Sequence, residues 1–395
     1  MAASRKIRGM MENSSWIRRM FEAGSALRAA HGAERVCDFS LGNPDVEPPA
    51  EFQRSLAEAV AARIPKKHGY MPNAGYPEVR GLIAERVSRE QGVALGGEHV
   101  IMSCGASGGL NAALKAILDP GDEVIASVPC FMEYASYADN HGGTLLFAPS
   151  APDFDLDVSA IESRIGPRTA ALIINSPNNP TGRIYPERTL RALADMLLRA
   201  GRRKGRTIYL LSDEPYRRLA YDGTEVPGIM RLYPHSIAIT SHSKDLSLPG
   251  ERIGFVAVNP AADDARGLID GIILSTRILG YVNAPALMQR AVAGIQAAAV
   301  DIEIYRKKRD LFCSALSSMS YQFTRPEGAF YIFPKAPGGD DLAFVRALQE
   351  ELILVVPGGG FQLPGYFRIA YCVDTAVIER SFDGFRKAAR ALGGK

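Results

Sequence analysis

Four side chains in this chain of 395 residues have the type and setting for carbonyl and anion chemistry: Lys244, Asp213, Arg252 and Arg368. Lys244 follows the apolar run 236–241 in the string Ser241-His242-Ser243-Lys244. A lysine after a strand is ordinarily a solvated loop residue. Kept neutral by burial and a neighbouring cation, it becomes a nucleophile toward an aldehyde and a proton acceptor. Arg252 supplies a permanent cation nearby, with a planar donor fork suited to a phosphate dianion. Asp213 ends the run 207–213, where an aspartate is most often a helix cap or a surface group. Arg368 lies in the strand-like run 367–373. It could be a surface ion pair, or it could hold a carboxylate in a bidentate fork. The turn Gly105-Ala106-Ser107-Gly108-Gly109 opens a helical pattern. Such a turn aims backbone N–H groups and the positive end of a helix dipole at an anion.

These residues need a scaffold, and its outline is legible. The runs 99–104, 122–128, 144–149, 170–175, 207–213, 236–241 and 252–258 read as buried strands. They are rich in Val, Ile and Leu and end in Gly, Pro, Asn, Asp or Ser. Helical patterns such as 108–118 and 186–199 lie between them. This alternation predicts an α/β fold with a mostly parallel, doubly wound sheet. Ligands of such sheets sit at the carboxyl ends of strands, just where several candidates fall. Downstream, residues 286–317 read as one long polar helix, followed by a strand-like run at 329–334, a helix, and the run 367–373. The expected division is residues 1–48 as an N-terminal arm and part of a small domain, 49–285 as the large domain, and 286–395 as the small α+β domain.

The pattern Ser241-x-Ser243-Lys244-x-x-x-x-Pro249-Gly250-x-Arg252-x-Gly254 resembles the cofactor-attachment signature of class I and II aminotransferases, pyridoxal 5′-phosphate (PLP) enzymes of fold type I. The strings SDEPY (212–216) and SPNNPTG (176–182) resemble the same family. The resemblance runs from about Phe39 to Tyr371. It implies a seven-stranded, mostly parallel sheet flanked by helices, a smaller α+β domain, and PLP held as a Schiff base on Lys244. Asp213 would keep the pyridine nitrogen protonated, and Tyr216 and Asn179 would reach the phenolic O3′. Ser241, Arg252, Gly105, Ala106 and Ser107 would hold the phosphate, with Ser243 beside them. Phe131 would stack on the ring, and Tyr134 is a second family aromatic, placed near substrate. Arg368, Asn179 and Gly42 (in LGNPD) would meet the substrate carboxylate. Tyr70, in HGYMPNAG, would reach the phosphate of a neighbouring subunit, which implies a homodimer. The reaction implied is transfer of an α-amino group from an amino acid to a 2-oxo acid through the Lys244 aldimine and pyridoxamine phosphate.

Departures from the pattern leave alternatives open. SKDLSLPG resembles the corresponding segment of 1-aminocyclopropane-1-carboxylate synthases. Elimination or replacement at Cγ, or cyclisation of an activated amino acid such as S-adenosylmethionine, would use the same lysine, aspartate and arginine. Arg277 stands one position out of register with the side-chain-recognising arginine of some aspartate aminotransferases, and His242 is unusual beside the lysine. Side-chain pocket candidates are residues 36–39, Tyr134 and 277–281. A non-catalytic regulator on this fold would need an added DNA-binding domain, and no helix-turn-helix pattern precedes residue 40.

Composition narrows the remainder. A net charge of +3 indicates no strong attraction to nucleic acid. No apolar run reaches the roughly 18–20 residues that cross a bilayer. The basic N-terminus has no apolar core of a secretory signal. Its Arg and Ser content suits a transit peptide, but Glu12 and Glu22 oppose one. Cys37, Cys104, Cys130, Cys313 and Cys372 are scattered, with no CxxC and no Cys/His cluster. That pattern suits reduced thiols in a cytoplasmic protein without a metal site.

Overall fold

The computed structural model describes residues 3–12 and 16–393. The reading of the N-terminal stretch therefore falls partly outside the described residues. In chain order the strands are β1 (Cys37–Asp38), β2 (Val100–Ser103), β3 (Glu123–Val128), β4 (Thr144–Pro149), β5 (Thr169–Asn175), β6 (Tyr209–Asp213), β7 (Ser236–Ser241), β8 (Gly254–Val258), β9 (Tyr331–Ile332), β10 (Ile353–Leu354), β11 (Val356–Pro357) and β12 (Phe367–Ala370). The seven apolar runs are β2 to β8. They form one sheet in the order β2-β8-β7-β6-β5-β3-β4. β8 runs antiparallel to β2 and β7, and every other pair is parallel.

Burial on both faces explains why these strands are continuous apolar runs rather than alternating ones. Every residue of β5 is buried. On one face the helix Gly105–Ile117 packs Leu110, Ala113 and Leu114 with Ile101, Val124 and Ile173 of the sheet. On the other, Pro77–Gln91 and Glu187–Lys204 bring Ile83, Val87, Leu193 and Leu197 against Ile125, Leu172 and Leu210. Both of these helices stop at a left-handed glycine, Gly92 (φ 67°) and Gly205 (φ 64°), a conformation that glycine adopts without a Cβ penalty.

A second core gathers aromatic side chains, among them Phe39, Tyr305, Phe312, Phe330, Phe367 and Phe385. β1 joins it by pairing parallel to β10, Cys37 opposite Ile353. β12 pairs antiparallel with β9 and β11 and so places Arg368 at the centre of a three-stranded sheet.

The segment between the two cores differs from the sequence expectation. Residues 286–317 are not one helix but two, Ala286–Ala293 and Ile302–Ser318. The first packs Met288, Ala291 and Val292 into the core of the large sheet, and Ser55 Oγ donates to Ala291 O at 2.7 Å. The second begins with Asp301, whose side chain caps the Glu303 amide, and it packs in the aromatic core. Helical periodicity runs through both pieces, but their apolar faces belong to different cores. The break between the two helices spans residues 294–301. Arg218 fastens it, donating to Ala298 O at 2.6 Å and Ala297 O at 2.8 Å.

Candidate active site

A cavity of about 260 Å³ opens at the carboxyl ends of the central strands, with walls from both cores. Lys244 enters it from the one-turn helix His242–Asp245 that follows β7. Its Nζ donates to Gly42 O at 2.6 Å. Burial lowers the pKa of the amine to about 8; Cys372 opposes this, while Arg368 and Arg252 push the same way as burial. Gly42 is glycine for a steric reason: a Cβ there would collide with the Tyr331 hydroxyl.

Asp213 closes β6 and is buried. Tyr134 Oη donates to its Oδ2 at 2.5 Å, and Oδ1 has no hydrogen-bond partner among the described residues. Burial raises this carboxyl to about pKa 7, the Tyr134 hydrogen bond opposing and Glu214 adding to the rise. Asn175, the last residue of β5, donates to Asp213 O at 2.8 Å and accepts from the Asn179 amide at 2.7 Å. One side chain thus ties two strand ends together.

Arg368 is buried on β12. It donates to Asn179 Oδ1 at 3.0 Å and to Ser40 O at 2.5 Å, while its Nε has no partner. Its guanidinium lies 4.7 Å from the ring centre of Tyr331 and 4.9 Å from that of Phe361. At the opposite end, Gly105 (φ 69°) opens its helix so close to Arg252 that a Cβ would stand 2.9 Å from Nη2. Arg252 donates to Pro249 O at 2.9 Å, and Ser241 Oγ donates to Ser243 Oγ at 3.0 Å. Helix start, hydroxyls and guanidinium converge as an anion cradle. Phe131 walls the cavity between the two ends, edge-on to Tyr134 with ring centres 5.6 Å apart.

The "Aminotransferase class I and II" family profile matches residues 34–385. The chain is 35% identical over 360 residues to a probable aspartate/prephenate aminotransferase of Thermus aquaticus, covering 88% of this chain and 90% of the relative. It is 32% identical to the aspartate/prephenate aminotransferase of Thermus thermophilus, with 90% of each covered. Among solved structures, an aminotransferase of Eubacterium rectale aligns over the full length of both chains with a TM-score of 0.96 at 37% identity. The chain belongs to the class I and II aminotransferases. It is a PLP-dependent enzyme that transfers amino groups of amino acids. The names of these relatives favour transamination over the elimination and cyclisation chemistry that SKDLSLPG left open.

The cofactor fits the residues present. A phosphate suits the cradle at Gly105 and Arg252, a planar ring suits the wall at Phe131, and a protonated ring nitrogen suits the bare Oδ1 of Asp213. Of the residues singled out from sequence, Gly42, Ala106, Ser107, Phe131, Asn179, Asp213, Tyr216, Ser241, Ser243, Lys244, Arg252 and Arg368 line the aminotransferase's cavity. Gly105 is not in the lining but lies against Arg252, which is. Tyr134, expected near substrate, instead lies fully buried behind Asp213, because its hydroxyl is the donor that the carboxylate requires. Tyr70 is 94% exposed.

The pocket expectations for residues 36–39 and 277–281 do not match the cavity. Val36, Cys37 and Phe39 are buried and are not in its lining, and Arg277 is exposed on the helix Ala265–Ile278. His242 is a buried packing residue, its Nδ1 3.3 Å from the Asp245 carboxylate. Sequence reasoning missed Tyr331, Asn175 and Leu41, which also line the cavity. Asn175 directly precedes the SPNNPTG string and could have been added to it. Tyr331 sits in a run that reads as an ordinary core strand.

Proposed function

We propose that the enzyme moves the α-amino group of an amino acid to a 2-oxo acid with Lys244, Asp213 and Arg368 as its three working side chains. The observation that carries this reading is the bare, buried Oδ1 of Asp213 in one cavity with a lysine of pKa about 8 and a buried arginine. When bound, PLP supplies an electron sink for the pair left at the substrate Cα. Arg368 grips the substrate α-carboxylate in its fork and orients Cα toward Lys244. Lys244 Nζ, its pKa lowered by burial, takes the proton from Cα. Asp213 Oδ1 holds a proton on the ring nitrogen. Tyr216 and the Asn179 amide donate to the ring oxygen; Asn179 Oδ1 is already engaged by Arg368, which leaves its Nδ2 free for this. Gly105, Ala106, Ser107, Ser241, Ser243 and Arg252 hold the phosphate, and Phe131 stacks on the ring.

A homodimer is part of this reading. Tyr70 is 94% exposed in its own chain, as a side chain that reaches a partner's phosphate would be. Val60, Ile64, Leu82, Leu274 and Ile278 are also exposed and support an apolar interface. Free cysteines, most of them buried, support a cytoplasmic location. Among the described residues no helix is long and apolar enough to cross a membrane.

The names of the relatives make aspartate and the aromatic amino acids the first donors to test. The experiment is an absorbance titration of the PLP-loaded protein with single amino acids, no oxo acid being present. The expected result is loss of the aldehyde-form absorbance with one class of donor and its return on adding a 2-oxo acid. Product formed while that absorbance persists would overturn the reading.

A further inference from the structure

We propose that Tyr331 is a positioning residue for the transfer: its hydroxyl donates to Tyr216 and thereby commits the Tyr216 proton to the cofactor's ring oxygen. This rests on the assignment of Tyr216 to that oxygen. Tyr331 lies on β9 and Tyr216 follows β6 of the large sheet; both pack in the aromatic core and both line the cavity. Their hydroxyl oxygens are 2.8 Å apart, and both side chains are buried. Each phenol has one proton to give. If Tyr216 gave its proton to Tyr331, none would remain for the cofactor.

The surroundings decide the direction. The Arg368 guanidinium lies over the Tyr331 ring, 4.7 Å from its centre, and a cation there makes this phenol the better donor of the two. Burial raises both phenols above the usual tyrosine range, and Arg368 opposes the rise in each. The Tyr331 ring is held edge-on by Phe330 at 5.0 Å and Tyr216 at 5.6 Å. Its hydroxyl occupies the space that the missing Cβ of Gly42 leaves. A chain of hydroxyls of this kind polarises each successive donor. The Tyr331–Tyr216 pair is such a link, with the Arg368 guanidinium over the ring of its first member.

The test is a double-mutant cycle on the PLP-loaded enzyme with Tyr331→Phe, Tyr216→Phe and the double variant. The phenylalanines keep both rings, so packing is retained. The readout is the pH midpoint at which the visible absorbance of the lysine-linked cofactor changes, together with kcat and KM. Above that midpoint the ring oxygen keeps its negative charge without a neighbouring N–H, so protein donors lower the midpoint and their loss raises it. Lys244, Asp213, Arg252 and Arg368, the charged groups around the ring, are the same in every variant. Tyr216→Phe is expected to raise the midpoint by about one pH unit. Tyr331→Phe should raise it by about half as much and lower kcat with little change in KM. The double variant should match Tyr216→Phe alone, because the two hydroxyls act in series. An unmoved midpoint in Tyr331→Phe, or additive shifts in the double variant, would overturn the proposal while leaving the role of Tyr216 intact. An unmoved midpoint in Tyr216→Phe would overturn that role and the proposal together.

Discussion

Two consecutive carboxylates at the end of β6 have opposite fates. Glu214 faces the rear of the sheet, where its oxygens accept from Ser212 Oγ at 2.7 Å, Gln91 Nε2 at 2.9 Å and Arg217 at 3.1 Å. Behind it Asp245 lies within 3.8 Å of both Arg86 and Arg218 and 3.3 Å from His242. Asp213 faces the cavity with Tyr134 on one oxygen and nothing on the other. Alternation along an extended chain puts neighbours on opposite faces, so one strand end serves both purposes. Burial without a full set of donors disfavours the charged form of Asp213. The rear carboxylates are each matched by donors or cations of the chain itself and contribute structure. The cavity side is left incomplete, and the missing partner is the cofactor.

Substitutions on the cavity side should therefore remove chemistry first, and the largest loss is expected at Lys244. Lys244→Ala should abolish turnover, and borohydride should fix no cofactor to the variant; a retained reducible linkage would show that another amine holds the cofactor. Asp213→Asn should come next, with kcat down about 10²–10³-fold, the scale of losing one preorganised electrostatic partner. Arg368→Ala should raise KM by about 10–100-fold, since hydrogen bonds to charged groups contribute about 1.5–3 kcal/mol. Unchanged kinetics there would place the carboxylate site elsewhere.

The sequence carries the two sides unequally. Strands β2 to β8 were legible because burial on both faces writes them as apolar runs, and the cofactor residues were legible because polar and glycine-rich strings interrupt those runs at strand ends. Tyr134 was singled out with a substrate role and Tyr331 not at all. Each is an aromatic in a stretch that reads as packing, and its hydroxyl's neighbour in space, Asp213 or Tyr216, is what the sequence does not record. The helix boundary at residues 294–301 was hidden for a related reason: periodicity records that a face is apolar, not which core receives it.

Rear-side substitutions should reverse the pattern of losses. Glu214→Gln should lower unfolding stability by about 1–3 kcal/mol, the cost of weakening a buried charged hydrogen-bond set, while kcat of the folded fraction stays within about twofold of wild type. A large fall in kcat with stability unchanged would break the division between the two sides.

The finest test uses Asp213 without its cofactor. Its folded-state pKa is raised from 3.8 to about 7, so between these values the folded protein holds a proton that the unfolded chain has lost. Stability of the cofactor-free protein should therefore fall as pH rises from about 4 to about 7, with a slope of about 1.4 kcal/mol per pH unit at most from this group. Asp213→Asn removes that slope and should be more stable than wild type above pH 7, though far less active. Loading wild type with PLP should remove the slope as well, because a protonated ring nitrogen gives the carboxylate the partner it lacks. Denaturant unfolding of the cofactor-free wild type and variant across pH 5–8 decides the matter: parallel curves would mean that Asp213 is already satisfied without a ligand, and that the contrast with Glu214 is one of position only.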